Sequence, residues 1–356
     1  MNIKSLLTIL ILLFVILSIS ACEKDDESLN NTNDRPPLGQ SCGDGICDER
    51  ESKKGICPED CKEIIRDNKN DDDKDQKIQE LKQDAIEKFN GEVIENLEYA
   101  NIDETSLLLD LYLPDTEESL PVVVWIHGGA WVAGSKDDVA NYNVLIASND
   151  YVVASLDHRP SSQALFPAQI HDVKAAIRYL RANPNNYKYN TEMIGAIGSS
   201  SGGHLVSLLG TSSGYLEGDV GDYLEYSSTV QAVVDLFGPV NLQTLTEDCE
   251  NICVMDHDAS TSPESGLLGC RPSECPDEAS EASATTYISA DDPPFLIIHG
   301  DEDSTISYLQ SQDFNQLLQD NGLESEFILA EGYGHDRSMA VFYLDEIIDF
   351  FDSHLK

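Results

Sequence analysis

The 356-residue sequence predicts an α/β fold, a mostly parallel sheet with helices on both faces, preceded by a small disulfide-rich module. Three observations predict it. From about Glu92 onward, short apolar runs alternate with amphipathic stretches, the pattern of strands joined by crossover helices. One of these runs, IGAIGSSSG (Ile194–Gly202), leads straight into the helix-like HLVSLLG, so a glycine-framed serine sits where a strand must turn sharply into a helix. Finally, nine cysteines fall as Cys22 alone, then Cys42, Cys47, Cys57 and Cys61, then Cys249, Cys253, Cys270 and Cys275. Two even clusters read as disulfides of an exported chain. Zinc would suit four clustered cysteines too, but neither group has paired CxxC spacing.

The N-terminus is set aside before any fold reasoning. Lys4 gives a positive start, Leu6 to Ile19 is a nearly unbroken apolar run, and ISAC (Ile19–Cys22) puts small residues just before a cysteine. The combination resembles a lipoprotein signal over residues 1–21. That implies cleavage before Cys22, a lipid on its sulfur, and a domain outside the cytoplasm that meets the membrane only through the anchor. An uncleaved anchor is the other reading, although the apolar run is short of the roughly 18–20 residues that span a bilayer. Residues 22–40 are polar, acidic and carry Pro36 and Pro37, as a flexible tether would. The stretch CGDGICDERESKKGICPEDC (Cys42–Cys61) lies within a cysteine-rich module over residues 41–62, too small to fold without cross-links. It is similar to small extracellular modules with a CGDGxC start and a CPxDC end. Its Asp44, Asp48, Glu51 and Asp60 either offer oxygens to calcium or are solvated turn residues. Residues 63–90, which include the charge run Asp67–Asp75, read as a linker.

The remaining residues, 91–356, form the expected α/β domain. Candidate strands are Leu107–Tyr112, Val122–Ile126, Val152–Ser155, Ile194–Ile197, Ala232–Leu236, Phe295–Ile298 and Glu326–Leu329. Most are continuous Val/Ile/Leu runs, as expected where both faces of a sheet are covered. Val173, Ala176, Ile177 and Leu180 recur at helical spacing, as do Phe314, Leu317 and Leu318, and all are expected core positions. The formal charge of −43, from 65 acidic against 22 basic side chains, excludes nucleic acid as a partner, because so negative a field repels phosphates. The acidity fits either a highly soluble surface or saline surroundings.

The chemistry is expected at one end of the sheet. Ser200, at the centre of GSSSG, is the candidate nucleophile; Ser199 and Ser201 lie off the central position. In VVVWIHGGAW the strand Val122–Ile126 ends in His127, Gly128 and Gly129. Amides of Gly128 and Gly129, with that of Ser201, are placed to hold a developing oxyanion. His127 is expected to brace this loop, and Trp131 to pack near or touch the substrate. A serine hydroxyl needs a base, and the base needs a carboxylate. FLIIHGDED (Phe295–Asp303) supplies Asp301 and Asp303 after a buried strand, Asp235 ends an earlier one, and EGYGH places His335 on a glycine-flexed loop. The remaining histidines, His158, His171, His204, His257, His299 and His354, are weaker candidates.

Together HGGAW, LDHRPSSQALFPAQIHDVKAAIRYL, GSSSGGHL, VDLFGPVNL, PPFLIIHGDEDSTIS and GYGH resemble α/β-hydrolases of the hormone-sensitive-lipase and bacterial feruloyl- and acetylxylan-esterase-like group. The likeness runs from about Glu92 to the C-terminus. It implies a serine carboxylesterase with the triad Ser200, Asp303 and His335, acting through an acyl-enzyme on short acyl or aryl esters, acetyl or feruloyl groups on polysaccharide among them, without metal or organic cofactor. In the resembling family the acid is the third residue after the glycine of the HG turn, which maps onto Asp303. Two departures are visible: HGGAW lacks a third glycine, and residues near 242–290 are enlarged by a cysteine-bearing insertion that should lie over the mouth of the site. A serine exopeptidase on the same fold and a non-catalytic surface adhesion protein are the competing readings. Oligomeric state is not legible.

Overall fold

The computed structural model describes residues 76, 78–83, 85–102, 104–183, 187–249 and 252–356. The chain divides into two units, residues 1–72 and 73–356, and the described residues all belong to the second. The signal, Cys22, the tether and the cysteine-rich module lie outside them.

Among the described residues eight strands form one sheet: β1 (Gly91–Ile102), β2 (Thr105–Pro114), β3 (Leu120–Ile126), β4 (Val152–Leu156), β5 (Tyr189–Ser199), β6 (Ala232–Leu236), β7 (Phe295–Gly300) and β8 (Ser325–Ala330). Their order is β1-β2-β4-β3-β5-β6-β7-β8. The first two pairings are antiparallel and all the others parallel. Helices α1 (Ala140–Ala147), α2 (Ala168–Ala182), α3 (Ser201–Thr211), α4 (Pro263–Leu268), α5 (Leu309–Asp320) and α6 (Leu344–Leu355) connect and cover the strands.

Side-chain alternation along a strand decides which helix covers which face. In β3, Val122, Val124 and Ile126 join the core beneath α2 and α3, with Ile170, Val173, Leu205 and Leu208. Val123 and Trp125 join the opposite core, with Ile146 of α1 and Ile347, Phe351 and Leu355 of α6. Both faces of the central strands are therefore buried, and this is why their sequences read as continuous apolar runs.

Three expectations need correction. β1 was not among the predicted strands: GEVIENLEYANI is largely exposed, breaks register between Ile94 and Leu97, and holds Asn96 at φ 59°, so no apolar run announces it. The linker over 63–90 is helical in residues 78–83 and 85–88. Its Ile78, Leu81 and Ala85 recur at helical spacing and pack on the α1/α6 core. Leu317, expected in the core, is exposed. Phe314 and Leu318, one turn apart, carry the buried face of α5 and leave Leu317 beside it.

The second cysteine cluster is cross-linked as Cys249–Cys253 and Cys270–Cys275. Both bonds lie in the expanded segment between β6 and β7, where the helices run only four to six residues.

Candidate active site

The predicted triad and oxyanion groups gather at the carboxyl ends of β3, β5, β7 and β8, the edge of a parallel sheet where side chains from several loops converge. At the end of β5 the chain turns into α3 through Ser200, whose backbone stands at φ 57°, ψ −124°. A non-glycine residue is strained there. The turn is held because Ser200 donates its amide to the Leu236 carbonyl at 2.9 Å. The neighbouring glycines permit it: a β-carbon on Gly202 would lie 2.2 Å from the Ile126 carbonyl oxygen, and one on Gly198 would lie 2.4 Å from that of Gly202.

The structure brings Ser200, His335 and Asp303 into one relay. His335 Nε2 is 2.9 Å from Ser200 Oγ, and His335 Nδ1 is 2.6 Å from Asp303 Oδ2. Phe237 meets the imidazole edge-on, with centroids 4.6 Å apart. Asp303 is fully buried. Its Oδ1 accepts the amides of Thr305 at 2.8 Å and Ile306 at 2.9 Å. Burial opposes its charge, but hydrogen bonds from His299 and His335 outweigh that penalty and hold the carboxyl well below the usual carboxylate range. The acid is therefore an anion whose two oxygens are both occupied.

The rival carboxylates stand elsewhere. Asp301 is exposed and accepts the Gly332 amide at 2.7 Å. Asp235 is buried, accepting from Ser207 Oγ at 2.7 Å and the Gly238 amide at 2.8 Å. It braces the turn after β6 against α3.

Gly128 and Gly129 follow β3 directly beside the nucleophile. A β-carbon on Gly128 would come within 3.2 Å of Ser200 Cβ. Ser201 opens α3, so its amide is among the first of the helix, which have no carbonyl one turn back. His127 braces this loop as expected, with Nδ1 2.8 Å from the Gly128 carbonyl and its ring stacked on His158. Trp131 is buried and donates its indole N–H to His204 Nδ1 at 3.1 Å.

A pocket of about 40 Å³ opens beside Ser200, and Trp131, Ser201, Met255, His257, Glu264 and Ile306 are in its wall. Part of that wall comes from the insertion, as its expected position over the mouth requires. A larger open cleft of about 480 Å³, bordered by Asn101, Arg159, His171 and Asp219, holds no member of the relay. The chemistry belongs to the smaller space.

Sequence reasoning ranked His299 and His257 only as weaker candidates and missed Glu264. His299 lies 3.2 Å from Asp303 Oδ2, and its place in the HG turn beside the acid was the available signal. His257 and Glu264 form a buried pair 2.9 Å apart in the insertion, and nothing local in the sequence marks them.

This geometry agrees with what comparison finds. A solved carbohydrate esterase from gut microbiota, in truncated form, is 34% identical with a TM-score of 0.69, the match covering 75% of this chain and 97% of that one. A bifunctional GH43-CE protein from Bacteroides eggerthii is 38% identical with a TM-score of 0.67, covering 74% of this chain and 35% of that one. Esterase LipC from Mycobacterium tuberculosis is 30% identical over 61% of this chain and 53% of its own length. The chain thus spans about half the length of the curated relatives it matches. The BD-FAE family model matches residues 109–318, from β2 into α5, and takes in the nucleophile turn, the insertion and the acid loop; the chain belongs to the BD-FAE family.

Proposed function

We propose that the chain is a serine carboxylesterase that removes short acyl groups, acetyl among them, from carbohydrate. The observation that carries this is the unbroken relay from Ser200 Oγ through His335 to Asp303, on a strained turn beside an amide-lined loop. Ser200 Oγ attacks the ester carbonyl carbon while His335 Nε2 takes its proton. Asp303 fixes the ring with Nδ1–H toward itself and stabilises the imidazolium. The amides of Gly128, Gly129 and Ser201 receive the negative oxygen of the tetrahedral intermediate. Collapse expels the alcohol, which takes the proton back from His335, and leaves acyl-Ser200. Water, activated by the same histidine, then releases the acid.

The carbohydrate part of the reading is supported by the carbohydrate esterase similar over almost its whole length. Activity on acetylated and feruloylated xylan, beside nitrophenyl acetate, tests it. Release of acetate from xylan is expected, and hydrolysis of aminoacyl anilides in preference to esters would replace the reading with a peptidase. Fluorophosphonate labelling of the wild type that is lost in Ser200→Ala is expected if Ser200 is the nucleophile.

We further infer that Cys22 carries lipid and tethers the enzyme outside the cytoplasm. The support is sequence alone: the apolar run ending in ISAC and the polar tether after it.

A further inference from the structure

The pocket beside Ser200 holds a carboxylate oxygen that the relay does not use. Glu264, on α4, is 2% exposed. Its Oε1 receives a hydrogen bond from His257 Nδ1 at 2.9 Å, and His257 Nε2 donates to the Thr305 carbonyl at 2.9 Å. With acceptors at both ring nitrogens, the imidazole carries two hydrogens. Burial opposes that charge, but Glu264 and the Thr305 carbonyl outweigh it and raise His257 above its usual range. Glu264 Oε2, by contrast, is buried and meets no donor among the described residues. Ser201 Oγ, in the same wall, is likewise buried and unpartnered.

A buried ionic oxygen without a donor costs stability, and native structures keep such groups where a water, an ion, a catalytic role or a ligand accounts for them. The space selects the kind of ligand. Trp131, Pro239, Met255 and Ile306 make the rest of the wall largely apolar, so an alkyl group would be accommodated but would leave Oε2 unmet. A hydroxyl satisfies both orphans, donating to Oε2 and accepting from Ser201 Oγ. A cation gains little, because His257 already neutralises the Glu264 charge. The pocket of about 40 Å³ suits a small hydroxyl-bearing group.

We propose that Glu264 is a specificity-determining residue of the esterase, its Oε2 accepting a hydrogen bond from a substrate hydroxyl next to the esterified oxygen of a carbohydrate. The assignment rests on the esterase reading and deepens it. The pair also touches the relay: Thr305, whose carbonyl His257 grips, gives its amide to Asp303 Oδ1. A hydroxyl seated on Glu264 is thereby held in register with the catalytic acid.

The test compares kcat/KM of the full chain on two methyl xylosides, one carrying a single acetyl beside a free hydroxyl, the other with that hydroxyl replaced by hydrogen. Wild type is expected to prefer the first by about tenfold or more, the effect of one hydrogen bond to a charged acceptor. In Glu264→Gln this preference should collapse to about twofold or less, since the charged acceptor is gone and only a weaker neutral bond from the amide to the hydroxyl oxygen can replace it. A wild-type preference below twofold overturns the assignment whatever the variant does. So does a variant that slows both xylosides alike and keeps the preference, which is what a structural role or a bridging water predicts. If wild type fails even on nitrophenyl acetate, the esterase reading falls first and takes the assignment with it.

Discussion

Replacing Asp303 by Asn keeps the shape of the side chain and exchanges one oxygen for an NH2 group, and the structure leaves no comfortable orientation for it. With the NH2 toward His335, two donors face one another where Oδ2 now accepts at 2.6 Å. With the NH2 on the other side, it faces the amides of Thr305 and Ile306, which now donate to Oδ1 at 2.8 and 2.9 Å. The backbone amides cannot give up their hydrogens, whereas His335 can switch tautomer and His299 already shares its N–H with the Ile306 carbonyl at 3.0 Å, so the first orientation is expected. His335 then turns its unprotonated nitrogen to the amide and its N–H to Ser200, the wrong tautomer for a base. A triad in that state loses about 10⁴ in kcat, or about 5.4 kcal/mol of barrier at about 1.36 kcal/mol per decade. The folded state loses far less, about 1–3 kcal/mol for one mismatched buried pair. The assay is kcat on nitrophenyl acetate together with thermal unfolding, run in parallel on Asp301→Asn and Asp235→Asn. Asp301→Asn, exposed, should change neither. Asp235→Asn should lower the melting temperature and spare most of the rate in the molecules that remain folded. A fall of less than tenfold in Asp303→Asn, or a larger fall in either comparison variant at unchanged stability, refutes the assignment of the acid.

Ser200→Ala should lower kcat by a factor on the order of 10⁵–10⁶ with KM little changed, because the members of a relay act as one unit; retention of most activity would remove Ser200 from its role. Cys22→Ser should move the enzyme from the membrane pellet to the soluble fraction, since each buried CH2 of an acyl chain contributes about 0.8 kcal/mol to anchoring, and a variant that still pellets points to an uncleaved helix. His204 makes an acid-stability prediction. Its Nδ1 accepts from Trp131 and its Nε2 donates to the Ala282 carbonyl at 2.7 Å, so the ring is neutral, and burial brings it down to about 4 even though the Ala282 carbonyl and Glu264 pull the other way. The unfolded chain takes up that proton near 6.5, hence it binds more protons than the folded chain between about 6.5 and 4. Stability is lost as pH falls through this window, by about 1.4 kcal/mol per unit at most. Urea midpoints between pH 6.5 and 4 should fall less steeply in His204→Gln than in wild type, and equal slopes would contradict the neutral-ring argument.

The central sheet was legible because its strands are buried on both faces, and a run such as VVVWI then has no polar position to blur it. The same physics hid β1, an edge strand with a wet face, and the helical turns of residues 78–83 and 85–88, where Ile78, Leu81 and Ala85 are set among polar residues such as Lys, Glu and Gln. Ser200 and His335 could be read locally, since Gly198 and Gly202 have no room for a β-carbon and Gly332, before His335, stands at φ 71°. The choice between Asp301 and Asp303 could not. Two residues of one turn differ only in where the turn sends them, and the spacing known from similar enzymes had to decide it.

The insertion shows why the specificity pocket was illegible while the nucleophile was not. Its two disulfides join residues four and five positions apart, so each closes a small local loop and neither ties the insertion to the sheet. Around the pocket, the contacts that tie the insertion to other loops include three: the Val254 amide to the Ser304 carbonyl at 2.8 Å, the Phe166 amide to the Leu267 carbonyl at 2.9 Å, and His257 to the Thr305 carbonyl. Two of these three land on residues 304–305, immediately after the acid. Glu264 consequently reaches Ser200 by way of the loop that carries Asp303, a path that leaves no period in the sequence. It follows that the loop after β7 is shared machinery, in which the backbone amides serve the acid and the carbonyls serve the pocket. A substitution that shifts Thr305 should therefore disturb rate and substrate preference together, whereas one confined to Glu264 should disturb preference first.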